Sequence, residues 1–140
     1  MRFYTTGYGE RTLPEFLELL RAHGVKTLVD TRSVAVSRRR EFMEDCLSAE
    51  LEGAGIRYVH LPGLGCDARL RREARRKGDH SFLFRCYDLA LMRNLPGLVP
   101  VIEKLEFPVV FMCAERSYKV CHRSRLTDAL ERYGWEGCEI

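Results

Sequence analysis

The feature that restricts this chain most is an alternation, kept up from end to end, between short β-prone runs and stretches with helical spacing. Arg2–Thr6 reads as a first strand ending at Thr5-Thr6-Gly7-Tyr8-Gly9, where two glycines supply freedom for a turn. Thr12 stands three residues before Glu15 with Pro14 in the first turn, a capping box. The helix it opens repeats Leu13, Phe16, Leu17 and Leu20 at helical spacing until Gly24 stops it. Val25–Asp30 is a second strand. Met43, Cys46, Leu47 and Leu51 mark a second helix ending near Gly53 and Gly55, and Ile56–Leu61 is a third strand closed by Pro62-Gly63-Leu64-Gly65. Ser81–Arg93 is apolar almost throughout and reads as a buried helix; the spacing continues over Leu95, Leu98, Val99 and Ile102, with a bend or break expected at Pro100. Val109–Cys113 is a continuous apolar run, the mark of a strand buried on both faces. Leu126, Ala129, Leu130 and Tyr133 give a last helix, stopped by Gly134, and an edge strand is expected over Trp135–Ile140.

Strands alternating with helices, without repeats or a flexible linker, predict an α/β fold: a three-layer α/β/α sandwich with a mostly parallel sheet. A chain of 140 residues suits one domain over 1–140 and leaves no room for a two-domain enzyme. With 46% hydrophobic and 31% charged residues the chain is too apolar for disorder, and no apolar run approaches the ~20 residues of a membrane helix, so no membrane partner is expected. The N-terminus carries no apolar signal core, so a cytoplasmic, reducing compartment is expected and the six cysteines are not read as a disulfide framework. Cys46, Cys86 and Cys138 lie within apolar patterns and read as packing residues. The formal net charge is only +3, yet cations concentrate at Arg38, Arg39 and Arg40 and in a basic insertion at about 66–80, expected to be exposed and mobile, that includes Arg69, Arg72 and Arg76.

In a parallel sheet the carboxyl ends of the strands share one edge, where such folds bind ligands. Here those ends read Thr6-Gly7-Tyr8, Asp30-Thr31-Arg32-Ser33, His60-Leu61-Pro62-Gly63 and Cys113-Ala114-Glu115. After the last of these, Cys121-His122-Arg123 opens the final helix, whose N-terminal N–H groups favour anions and lower thiol pKa values. Cys113, Glu115, Cys121 and His122 are the candidate catalytic residues; Thr6, Gly7, Tyr8, Asp30, Arg32, Ser33, His60 and Arg123 are the candidate ligand contacts. Arg32 and Arg123 would grip a phosphate or carboxylate with their planar forks, and a cysteine thiolate with His122 would serve group transfer.

The segments TTGYGERTLPEF, LVDTRSVAVSRRREF, YVHLPGLG and CAERSYKVCHRSRL resemble, in order and spacing, the domain of unknown function 488 family, whose hallmark is a Cys-Ala-Glu and Cys-His-Arg pair. The chain departs from the family's usual pattern at Ala35, at Cys66 and at Ser117-Tyr118. The resemblance implies a compact α/β protein and a site at the paired motif, without a reaction attached to it.

Three readings of that site follow. The first is a small-molecule or nucleotide-related enzyme or ligand binder with an anionic partner and no cofactor, its class a cysteine-dependent transferase or hydrolase. A rhodanese or cysteine-phosphatase loop fits poorly, because the sixth residue after Cys113 is Lys119 where those loops close on arginine, and residues 114–120 contain no glycine. The alternative is a nucleic-acid-binding module using the two arginine clusters. A zinc site from Cys113, Cys121 and His122 is the third, disfavoured because adjacent helical residues point about 100° apart and no CxxC or HxxxH spacing occurs. For Asp30 and Arg32 a second role stays open beside ligand contact, an ion pair that pins the loop after the second strand. His60 can equally cap the sheet edge, and His122 can be a covered histidine bonded to a backbone carbonyl.

Overall fold

The computed structural model describes residues 1–114 and 122–140. Its strands are β1 (Arg2–Gly7), β2 (Thr27–Asp30), β3 (Arg57–His60), β4 (Val109–Cys113) and β5 (Glu136–Glu139), in the order β3-β2-β4-β1-β5. Every neighbouring pair is parallel, so the sheet is wholly parallel where the sequence predicts a mostly parallel one. Helices α1 (Leu13–Ala22), α2 (Glu44–Gly53), α3 (Ala68–Lys77), α4 (Ser81–Glu103) and α5 (Arg123–Glu131) and two short 3-10 turns, Arg40–Phe42 and Pro62–Leu64, complete the described elements.

Alternation along the central strand divides the core in two. Val110 and Met112 of β4 pack with Phe16 and Leu20 of α1 and with Leu47 and Leu51 of α2. Val109 and Phe111 face the other way, onto Leu83, Tyr87, Leu91, Leu95, Val99 and Ile102 of α4 and Leu126 and Leu130 of α5. A strand covered on both sides has no polar face, which is why β4 reads as an unbroken apolar run. The predicted capping box of α1 is formed: Glu15 N donates to Thr12 Oγ1 at 3.2 Å and Thr12 N donates to Glu15 Oε1 at 3.0 Å.

Three local expectations are corrected. The turn after β1 takes its left-handed residue at Glu10, with φ of 65°, and not at either glycine. The stretch from Cys66 to His80 is organised, since Asp67 Oδ1 accepts from Arg69 N at 2.8 Å and Leu70 N at 3.1 Å to open α3, and Ala74 is buried. Helix α4 runs unbroken through Pro96 and Pro100. Both prolines lie on its exposed face, so the carbonyls that lose an N–H partner, those of Met92 and Pro96, meet water. A proline inside a helix costs about 3 kcal/mol, and several side chains buried on the opposite face at about 1.5–3 kcal/mol each offset it.

Candidate functional site

The strand ends converge as the topology requires, and the sheet's pairing continues past the strands into their loops. Tyr8 N donates to Cys113 O at 3.3 Å, Thr31 N to Met112 O at 3.0 Å and Leu61 N to Asp30 O at 3.0 Å. Gly65 locks two of these loops together. A Cβ there would lie 2.3 Å from Thr31 O and 2.6 Å from Ser33 N, so only glycine lets the segment after β3 lie against the segment after β2.

Inside that frame Asp30 and Arg32 form the ion pair that the sequence left open. Arg32 Nε donates to both Asp30 oxygens, at 2.9 and 3.1 Å, Nη2 donates to Oδ2 at 2.7 Å, and the Arg32 amide adds a bond of 3.1 Å to Oδ1. Arg32 Nη1 donates to Phe42 O at 2.7 Å, so the guanidinium ties the loop after β2 to the turn before α2. Tyr58, which sequence reasoning missed, donates its hydroxyl to Asp30 Oδ2 at 2.5 Å. Its signal was period two: Tyr58 and His60 share a face of β3, and His60 is the register partner of Asp30. Burial pushes the Tyr58 hydroxyl well above the usual tyrosine range, and the bond to Asp30 and its charge add to the shift. Burial alone would lower the Arg32 guanidinium, but its bonds to Asp30 and that residue's charge outweigh burial and leave it raised.

Aromatic packing seals the same corner. Tyr8 stacks on Phe42 with ring centroids 4.2 Å apart, and Arg39 sits 4.4 Å from the Phe42 ring while donating to the carbonyls of Arg11 and Tyr8. Arg39 thus turns inward, whereas Arg38 and Arg40 are exposed. His60 is a sheet-edge cap: Nε2 donates to Arg32 O at 2.6 Å, and Nδ1 lies 3.8 Å from Glu44 Oε1. Ser33 is half-buried beside it.

A second group gathers at the head of α5. Thr31 Oγ1 donates to Met112 O at 2.9 Å and therefore accepts from His122 Nε2 at 3.0 Å. His122 is buried, with its ring edge against Tyr87. Arg123 beside it has no exposed surface at all and lies 3.4 Å from Glu139 of β5. Cys113 is buried at the end of β4. On its other side Thr6 Oγ1 donates to Ile140 O at 3.0 Å and accepts from Arg11 Nη1, which also reaches Gly7 O at 2.7 Å. Arg11 is a further polar residue of the edge that patterning did not single out, and Thr31, read at the end of the second strand, was given no role of its own. Glu115 and Cys121 lie outside the described residues, and the parts of the thiol and zinc readings that depend on them lie outside with them.

The family model for a domain of unknown function, DUF488, matches residues 12–130. The chain belongs to this family. No curated protein and no solved structure matches it. The DUF488 span takes in Asp30, Arg32, His60, Cys113, His122 and Arg123 and ends before Glu139. Among the described residues of this DUF488 protein no three His, Cys, Asp or Glu side chains come together as a metal site, and no helix is long and apolar enough to cross a membrane. A groove of about 470 Å³ between α4 and α5 is lined by none of the candidate site residues. Cys138, predicted as packing, is exposed, while Cys46 and Cys86 are half-buried.

Proposed function

We propose that the ends of β1, β2 and β4 and the head of α5 bind a small anionic molecule, one that carries a phosphate or carboxylate group or is nucleotide-like, and act on it. The observation that supports this reading is the burial of His122 and Arg123 side by side at a helix N-terminus where strands β2 and β4 end. In this reading Arg123 holds the anion through its planar fork, and His122 exchanges a proton at Nδ1 because Thr31 engages Nε2. Cys113 or Cys121 supplies the thiolate, Glu115 the acid or base, and the reaction class is cysteine-dependent transfer or hydrolysis. Asp30 and Arg32 enter as the pin that shapes the wall, with Tyr8, Ser33 and His60 around it. A titration of ¹⁵N-labelled protein with inorganic phosphate tests the site: the amides of Cys113, His122 and Arg123 should shift together, and Arg123→Lys should weaken the response several-fold. Shifts confined to α3 would overturn the reading. Turnover of any substrate so found should be lost in Cys113→Ser or Cys121→Ser if the thiol is covalent.

One observation favours a second reading, contact with nucleic-acid phosphates. Asp67–Lys77 holds six cations against two acids, a net charge of +4, so the remainder of the chain is net −1. Arg69, Arg72 and Arg76 are exposed on α3, whose Leu70 and Ala74 edge packs against the core. Binding to duplex DNA with a salt slope that falls by about 1 per arginine removed would support this reading, and no binding at low salt would end it.

A further inference from the structure

We infer that the outer face of α4 is where a second copy of this chain docks, with the two α4 helices lying antiparallel.

Helix α4 is apolar on two faces, and the core covers one of them. Leu83, Leu91, Leu95 and Val99 are buried against the sheet side. On the opposite side Phe82, Leu89 and Pro96 follow one another at seven-residue spacing, two turns apart. Phe82 and Leu89 keep 59% and 64% of their surface exposed, and Met92 beside them keeps 74%. A helix that is apolar all round is ordinarily covered all round, and a contiguous exposed apolar strip marks an interaction surface. Arg85 and Arg93 share the strip, and Phe, Met and Arg are the residue types that protein interfaces concentrate.

Charge selects the occupant. Between Ser81 and Ile102 the sequence holds a single acid, Asp88, and Arg125 donates to both of its oxygens. The ends of the strip carry opposite signs. Before its head lies Asp67–Lys77 with a net charge of +4, and at its tail stand Glu103 and Glu106, both exposed, with Lys104 between them. A nucleic acid or an anionic lipid surface would suit the head and be repelled at the tail. A second copy turned end for end sets each head against the other's tail, once on either side of a twofold axis.

An axis at Leu91 brings Phe82 level with Pro100 of the second copy and Arg85 level with its Gly97, where a Cβ would meet nothing. Pro96 and Pro100 have no N–H, so on that stretch the carbonyls of Met92 and Pro96 are open to the Arg85 donors of the second copy. Leu89 falls between Met92 and Pro96 of the second copy, which line the groove between α4 and α5 and so place it at the edge of the interface.

Sedimentation equilibrium of the full chain over a range of concentrations and salt tests the inference. The unaltered chain should associate to a dimer, and Leu89→Arg and Met92→Arg should each sediment as a monomer with an unchanged far-ultraviolet circular dichroism spectrum, since neither side chain belongs to the core. Glu103→Lys combined with Glu106→Lys should weaken the dimer at least tenfold, because both heads then face like charge. Added salt should weaken the dimer of the unaltered chain by screening the head-to-tail attraction. A chain that stays monomeric at every concentration, a dimer indifferent to both arginine substitutions, or a dimer that salt strengthens overturns the inference. A monomer whose Met92 face binds phosphatidylglycerol vesicles overturns it as well, in favour of a lipid surface.

Discussion

Two arginine–carboxylate pairs face the carboxyl edge of the sheet, and they are built differently. Arg32 and Asp30 are two residues apart, both are buried, and the carboxylate receives the Arg32 side chain, the Arg32 amide and the Tyr58 hydroxyl. Arg123 and Glu139 come from a helix and an edge strand, meet at 3.4 Å, and leave the acid partly in solvent. Burial of the arginine is common to both, so burial alone does not mark an arginine as structural or functional. The difference lies in the acid: one is saturated with donors and enclosed, the other has somewhere to go.

The comparison breaks first, and hardest, at Asp30. Asp30→Asn should leave Arg32 buried without its counter-charge and cost about 3–5 kcal/mol in urea unfolding, because removing one member of a buried pair strands the other. A loss no larger than that of an exposed pair would mean that the two arginines are not distinguished by their acids at all.

Tyr58→Phe sharpens the same point at smaller scale. It deletes one donor to an ionised carboxylate, a loss of about 1.5–3 kcal/mol. The tyrosine also carries a pH signature. Its folded-state pKa is raised, so its contribution to stability is complete below the unfolded value of about 10 and declines as pH climbs above it. Stability of the unaltered chain should therefore drop more steeply above that pH than stability of Tyr58→Phe, measured by unfolding at a series of alkaline pH values. Parallel curves would show that the hydroxyl titrates alike folded and unfolded.

Arg125 and Asp88 provide the exposed limit of the series. They meet at 2.5 Å with both side chains more than a third exposed, and Asp88→Asn should change stability by only about 0.2–1 kcal/mol, an effect that salt screens further. A salt-insensitive loss as large as that of Asp30→Asn would erase the gradient from enclosed to exposed pairs.

Much of the architecture was legible in the residues because it depends on local period. Strand β4 is read from five successive apolar residues, and α1 from Thr12, Glu15 and the Phe16–Leu20 spacing, since each signal is complete within a few positions. The prolines of α4 misled for a related reason. The rule that proline breaks a helix is local, while the burial that overrides it comes from contacts with the sheet and α5. At the site, Asp30, Arg32, His122 and Arg123 were visible as polar residues at strand and helix ends, and the Asp30–Arg32 pair with them, but the partners that come from other elements were not. Tyr58 reaches Asp30 from the neighbouring strand, Thr31 reaches His122 across 91 positions, and Glu139 reaches Arg123 from the last strand.

By itself the sequence determined the class of fold, the edge on which polar chemistry collects and the placing of His122 and Arg123 at a helix start, because periodicity and capping act within one or two turns. Only the tertiary structure decided which arginine is enclosed by its acid and which shares it with solvent. That choice follows from the strand order β3-β2-β4-β1-β5, which sets β3 beside β2, so that Tyr58 closes over Asp30, and β5 at the edge beside β1, so that Glu139 meets Arg123 with part of its side chain in solvent. Neighbours of that kind are fixed by the packing of the whole sheet, and no short stretch of residues carries them.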